Sequence, residues 1–237
     1  MDIIGEETLK IISESPKFNE WMYQTIKPFL KGEILEIGSG IGNISSLIVR
    51  DYNNVTLTDY SDHYINKLNK TFEDNTSVKK ILNIDIQKSD FKVHYAHLEN
   101  SFDTIIILNV VEHLENDTQA INNCHFLLKP KGSLVVLTPA YNFLYCNFDK
   151  NLGHYRRYNK KSLSLLFKKD LFSIRKRIYF NALGIIGWLM IGKIGNKEKI
   201  GNGEFKLFSK LIFLGKLIDK IFFHKIGLSI IVVGEKS

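Results

Sequence analysis

Three glycines at alternate positions, Gly38, Gly40 and Gly42, follow the apolar run ILEI in the segment ILEIGSGIGN (34–43). A strand that ends in such a turn and then opens a helix lets the main chain approach a ligand closely and aims free N–H groups at it. A dinucleotide fingerprint needs a glycine where this chain has Asn43. Glu36, two residues ahead of the first glycine, repels a pyrophosphate and favours a cationic ligand. Twenty-one residues beyond Gly38, Asp59 closes a second apolar run, where a carboxylate can accept hydrogen bonds from both hydroxyls of a ribose. Asp85, in NIDI (83–86), adds an acid placed to take a hydrogen bond from an adenine amino group. Each acid alone reads equally well as a turn residue or N-cap. Their order along the chain points to a nucleoside that carries a positive charge, such as a sulfonium.

A second set of residues could handle a group-transfer acceptor. LGHYRRY (152–158) offers His154, the histidine best placed to act as a base or to orient an acceptor near neutral pH. In the same segment Tyr155, Arg156 and Arg157 are candidates for acceptor contact. The arginines could clamp an acidic acceptor or steady the loop by pairing with Asp149 or helix ends. In NVVEHL (109–114), His113 follows Glu112 and reads as a pocket-lining residue. Metal-using enzymes that this segment resembles have a carboxylate three residues before that pair; here the position is Asn109, one hard oxygen ligand fewer, so no metal is expected. Tyr23, in FNEWMYQTIKPFL, is a further pocket candidate on an amphipathic helix whose simplest role is core packing.

Positioning these groups calls for alternating strands and helices. Strands are expected at 33–38, 54–59, 78–85, 102–109 and 132–139, and helices at 16–30, 41–50, 62–72 and 115–128, the last stopped by Lys129-Pro130. That alternation announces an α/β fold with a parallel sheet. After Pro139 an aromatic, polar segment (141–158) reads as an acceptor loop, followed by a helix near 160–169. Runs at 171–180 and 228–236 supply a sixth and a seventh strand, which makes 181–227 an insertion of the size used for lids. One domain is expected: N-terminal cap helices (1–32), a cofactor-binding core (33–140), the acceptor loop and helix (141–170) and the insertion.

With 237 residues, 44% of them apolar and 24% charged, the chain can bury a core, and disorder and fibrous repeats are excluded. Two cysteines and no secretory leader pattern make a reduced cytoplasmic protein the expectation. The charge-free apolar stretch Ile178 to Gly192 has fifteen residues and falls short of the roughly 20 that a spanning helix needs. Charge is divided unevenly: residues 1–150 carry 14 Lys/Arg and 20 Asp/Glu, whereas 151–237 carry 18 and 5. Winding 205–223 at about 100° per residue gathers Lys206, Lys210, Lys216 and Lys220 on one side, with Phe208, Leu211, Ile212, Ile218 and Phe222 opposite. With the apolar run 182–192 beside it, this pattern reads as a lid over a greasy substrate or as a peripheral membrane contact.

The chain resembles a class I S-adenosylmethionine (SAM)-dependent methyltransferase. ILEIGSGIGN is similar to that family's first motif, TLTDYS to its ribose-binding strand end, NIDI to its adenine turn, FDTIIILNVVEHLEND to its fourth strand and following helix, and LLKPKGSLVVLTP to its fifth. The match covers roughly 30–140, with Lys131 where the fifth motif often has glycine. Asp149 through Tyr158 is similar to a D-x-x-L-G-H-x-R-R-Y signature of some small-molecule members. The resemblance implies a Rossmann-like, seven-stranded, mostly parallel sheet with an antiparallel last strand and helices on both faces. It places Glu36 and Gly38 beside the methionine part of SAM, Asp59 at the ribose, Asp85 and Ile86 at the adenine, and Asn109 and Val110 along the inner wall. The expected reaction is methyl transfer to an oxygen of a small or lipid-linked acceptor. N- or C-methylation, RNA methylation and a nicotinamide-dependent reductase are the rivals. Nucleic acid is not the expected partner, because no NPPY-type motif follows the fourth strand.

Overall fold

Each apolar run becomes a strand: β1 (Ile34–Ile37), β2 (Val55–Asp59), β3 (Val78–Asn83), β4 (Phe102–Leu108), β5 (Leu128–Pro139), β6 (Phe172–Phe180) and β7 (Ser229–Lys236). In the computed structural model, which describes residues 3–195, 203 and 208–237, they form one sheet in the order β3-β2-β1-β4-β5-β7-β6. The first five strands pair in parallel, and β7 runs antiparallel to both β5 and β6. Strand order reverses between β1 and β4. That switch point opens a crevice at the carboxyl edge of the sheet, where open α/β sheets bind ligands.

All residues of β1 and β2 are buried, as parallel strands covered on both faces must be. Side-chain alternation splits the core in two: Leu35, Ile105, Ile107, Leu134 and Val136 face one helical layer, while Ile34, Ile106, Val135 and Leu137 face the other. The layers comprise α1 (Ile3–Ser13), α2 (Pro16–Ile26), α3 (Ser45–Asp51), α4 (Asp62–Thr71), α5 (Phe91–His94), α6 (Asp117–Leu127), α7 (Asn147–Asn151), α8 (Lys160–Leu166), α9 (Ala182–Trp188) and α10 (Ile212–Ile221).

Local chemistry sets several boundaries differently from the sequence pattern. Residues 41–44 stay in the glycine turn, so α3 starts at Ser45. Helix α6 begins where the Asn116 side chain accepts a hydrogen bond from Gln119 N–H at 3.0 Å. Lys129-Pro130 falls inside β5, whose register against β4 shifts between Phe102 and Thr104. Lys131 takes a φ of +63°, a conformation that favours the glycine often found there. Helix α1, one of the expected N-terminal cap helices, packs on the glycine turn, where Asn43 Nδ2 donates to Leu9 O at 3.0 Å.

In the insertion, α9 continues into a wider π turn, Leu189–Ile194. Asp219 of α10 accepts hydrogen bonds from the main-chain N–H groups of Asn181 (2.7 Å) and Ala182 (2.8 Å), tying α10 to the start of α9. The expected helical wheel is corrected: α10 buries Ile212, Gly215 and Asp219, while Leu211 and Phe222, grouped with Ile212 on the side opposite the lysines, are exposed. Lys206 lies outside the described residues. None of the described helices is long and apolar enough to cross a membrane.

Candidate active site

A cavity of about 1170 Å³ runs from the glycine turn along the carboxyl edge of the sheet to Trp188 of α9. Single-ligand pockets span about 300–1,000 Å³, so this volume suits a cofactor-sized molecule with a second molecule beside it.

At the end formed by β1 and β2, Gly38 has a φ of +74°, and a β-carbon there would collide with the Val110 side chain. Glycine is therefore required at this point of the cavity wall, both for its backbone conformation and for the packing of Val110. Asp59 is positioned by two backbone donors, Gly40 N–H to Oδ2 and Ser61 N–H to Oδ1, both at 3.0 Å. Burial pushes its carboxyl up, against the pull of those donors. Glu36 is buried and accepts a short hydrogen bond from Ser45 Oγ. Burial raises its pKa to about 7, which leaves it easily ionised by a cation placed next to it. Asp85 is exposed, with Oδ1 accepting from Gln87 N–H at 3.1 Å, while Ile86 is buried and its carbonyl is held by Asn123 Nδ2 at 2.8 Å. Asn109, at a φ of +54°, and Val110 complete this wall.

At the other end, the loop after β5 folds back through α7 and delivers His154. Its Nδ1 lies 2.9 Å from Asp149 Oδ1, and the same oxygen accepts from Arg157 Nε at 2.7 Å. Burial acts to raise the Asp149 carboxyl, but the hydrogen bonds from His154 and Arg157 prevail and hold it below the ordinary carboxylate range. Arg157 also donates to Ala140 O at 3.2 Å and stacks on Trp188, 4.3 Å from the ring centroid. The His113 and His154 rings meet edge to face at 4.6 Å. Beside them Glu112 is fully buried, and among the described residues neither of its carboxyl oxygens has a hydrogen-bond partner. Burial lifts its pKa to about 8. One ligand atom from each of Glu112, His113 and His154 falls within 4.8 Å of the others, so these three are the residues that could hold a cation.

Among the sequence candidates, the cavity brings together Glu36, Gly38, Gly40, Asp59, Asp85, Ile86, Asn109, Val110, His113, His154 and Arg157. Four others lie elsewhere. Gly42 sits in the turn but faces α4, where a β-carbon would fall 2.8 Å from Phe72 Cε2. Tyr23 is buried, with its hydroxyl donating to Asp51 at 2.6 Å, because the helical phase of α2 turns its neighbour Met22 to the cavity instead. Tyr155 is exposed, and Arg156 pairs with Asp117 at 3.0 Å and with Glu115 O at 3.1 Å, steadying the start of α6. Arg157 spends its donors on Asp149 and Ala140, so it too serves the loop.

Sequence reasoning overlooked Trp188 and the Leu9 and Ile12 face of α1, which cover the cavity. The apolar spacing Leu9, Ile11, Ile12 was the signal available for α1. Glu112 reads from the sequence as one of a helix-start pair with His113 lining the pocket, and both do line it, but the burial of Glu112 is a tertiary property.

The strand order and the crevice at its switch point define a Rossmann-like fold of the class I methyltransferase type. Residues 35–134 match the model of the methyltransferase domain family. A hybrid PKS-NRPS synthetase, iccA, of Talaromyces variabilis is 30% identical over 113 residues, which is 46% of this chain and 3% of that protein. The ubiquinone biosynthesis O-methyltransferase of Coxiella burnetii is 30% identical over 115 residues, 48% of this chain and 47% of that enzyme. The chain thus spans less than half the length of these relatives. Among solved structures, a SAM-dependent methyltransferase from Archaeoglobus fulgidus superposes with a TM-score of 0.60 at 14% identity, covering 92% of this chain and 94% of that one. Phosphoethanolamine N-methyltransferase 2 of Haemonchus contortus, solved with SAM, gives 0.60 at 16% identity over 91% and 52%. At these identities the structural likeness is one of fold.

Proposed function

We propose that this chain is a SAM-dependent methyltransferase that methylates an oxygen atom of a small or lipid-linked acceptor. The observation that carries the reading is the single cavity in which the Gly38–Asp59–Ile86 edge leads into the Glu112–His113–His154 wall. The residues present fit the cofactor. The glycine turn has no room for a β-carbon, the Asp59 carboxylate is already oriented by the turn itself, and Glu36 offers a negative partner to a cationic amino or sulfonium group. SAM, when bound, supplies an electrophilic methyl on a positively charged sulfur. Displacement in line needs alignment and exclusion of water more than covalent help.

At the acceptor end the chain manages a proton. Ionised Asp149 can only accept, so His154 carries its hydrogen on Nδ1 and keeps a lone pair on Nε2. That nitrogen takes the proton of the acceptor hydroxyl as the oxygen attacks, and Asp149 stabilises the resulting imidazolium. Neutral Glu112 adds a hydrogen-bond donor near pH 7. Oxygen as the acceptor atom is further supported by the O-methyltransferase activity named for the Coxiella burnetii relative. Calorimetry with SAM and S-adenosylhomocysteine tests the reading: uptake of both is expected, and uptake of neither by folded protein overturns it.

A further inference from the structure

The apolar residues of the insertion do not all turn inward. Phe213 is 81% exposed, Phe223 78% and Ile221 60%, and Leu214, Leu217 and Phe222 are exposed beside them. On α10, Phe213, Leu214, Leu217 and Ile221 share one arc of the helix, opposite Ile212, Gly215 and Asp219. Contiguous exposed patches of large apolar side chains mark interaction sites.

This face is also built to stay where it is. Gly215 lies so close to α2 that a β-carbon would come within 2.9 Å of the Trp21 ring, and Asp219 ties α10 to α9. At its far end Phe223 and His224 both adopt left-handed φ values, +50° and +54°, in a turn held by His224 N–H donating to Asp219 O at 2.9 Å. Two successive left-handed non-glycine residues are costly. The turn leaves the Phe223 side chain almost fully exposed.

Charge selects among occupants. Residues 208–227 contain Lys210, Lys216, Lys220 and Lys225 but one acid, Asp219, which is buried. Lys216 and Lys220 flank the apolar arc of α10. A second copy docked face to face would set these lysines against their own kind. An anionic headgroup layer neutralises them while the apolar side chains enter the acyl boundary, which is how amphipathic helices lie in a membrane interface.

We propose that the outer face of α10 and the turn after it form a docking surface for an anionic lipid bilayer, held one helix away from the α9 wall of the cavity. Delivery of a lipid-linked acceptor to that cavity rests on the methyltransferase reading; the docking itself does not.

Flotation with vesicles of equal parts phosphatidylcholine and phosphatidylglycerol, against phosphatidylcholine alone, tests it. The wild type is expected to float with the anionic vesicles and to lose binding as salt rises. Phe213→Ser with Leu217→Ser and Ile221→Ser abolishes flotation, and Lys216→Gln with Lys220→Gln lowers partitioning about thirtyfold. All five positions are at the surface or its edge, and circular dichroism with SAM calorimetry checks that the variants remain folded. Failure of the wild type to float overturns the proposal. So does flotation that survives the serine changes, or a dimer in sedimentation velocity that those changes dissolve. Flotation by protein that takes up no SAM overturns the enzymatic reading and leaves the docking surface standing.

Discussion

His154 Nδ1 sits 2.9 Å from Asp149 Oδ1, on a carboxylate that is buried and also held by Arg157 Nε at 2.7 Å. This contact fixes the tautomer of His154 and so decides which ring nitrogen is left for chemistry. The asymmetry is useful: Arg157 keeps Asp149 ionised, and Asp149 keeps His154 oriented.

His154→Ala is expected to lower turnover by about 10²–10⁴, the usual worth of a general base, while SAM affinity changes little. Asp149→Asn should also cut turnover, because an amide can donate to Nδ1 and favour the wrong tautomer. Steady-state rates alongside calorimetry check both; full activity of His154→Ala removes it from the role of base.

Asp59→Ala should weaken SAM binding about tenfold or more, since each charge-assisted hydrogen bond to a ribose hydroxyl is worth about 1.5–3 kcal/mol. It also releases the N–H groups of Gly40 and Ser61 that the carboxylate now holds. Calorimetric affinity unchanged by the substitution would contradict the ribose assignment.

Stability should fall as pH rises from 5 to 8. Glu36 and Glu112 titrate at about 7 and about 8 in the folded protein, above the value of roughly 4.3 for an unperturbed glutamic acid. The folded state therefore binds these protons more tightly than the unfolded state. Their contribution is full below the unfolded pKa and is lost as pH climbs through 7 and 8, at up to about 1.4 kcal/mol per pH unit for each group. Glu112→Gln removes one of the two slopes, so its melting temperature should decline less over this range than that of the wild type. Parallel profiles would falsify the assignment.

Chelation by EDTA should leave turnover unchanged. The Glu112–His113–His154 cluster offers one carboxyl group and two imidazoles, few hard oxygen ligands for a Mg²⁺-type ion. Turnover that falls on chelation and returns with a divalent cation would instead give this cluster a metal-binding role.

Binding of SAM at pH 6.5 is expected to release a proton from Glu36, because a cation beside a buried, partly protonated carboxyl favours its ionised form. Calorimetry in buffers of different ionisation enthalpy measures that release, and it should vanish in Glu36→Gln.

Much of the cavity's glycine-turn end was legible in the linear chain. A strand, a tight turn and a strand-end acid are local features, and the parallel sheet brings Gly38, Asp59 and Ile86 to one edge whatever the loops do. The acceptor end was only partly legible. His154 was found by type and position, yet the same segment also offered Tyr155 and Arg156, which the fold turns away. Tyr23 failed as a pocket residue for a similar reason: one helical step, about 100°, separates it from Met22.

Order along the chain by itself determined the α/β class, the strand sequence and the residues that line the cavity at the carboxyl edge of β1 to β3, because those depend on short-range periodicity and turn chemistry. Only the tertiary structure decided that Glu112 is sealed with no hydrogen-bond partner among the described residues, that Asp149 holds both His154 and Arg157, and that α10 shows apolar side chains outward. Burial and pairing are properties of neighbours brought together from distant positions, and no local pattern encodes which side of a helix meets them.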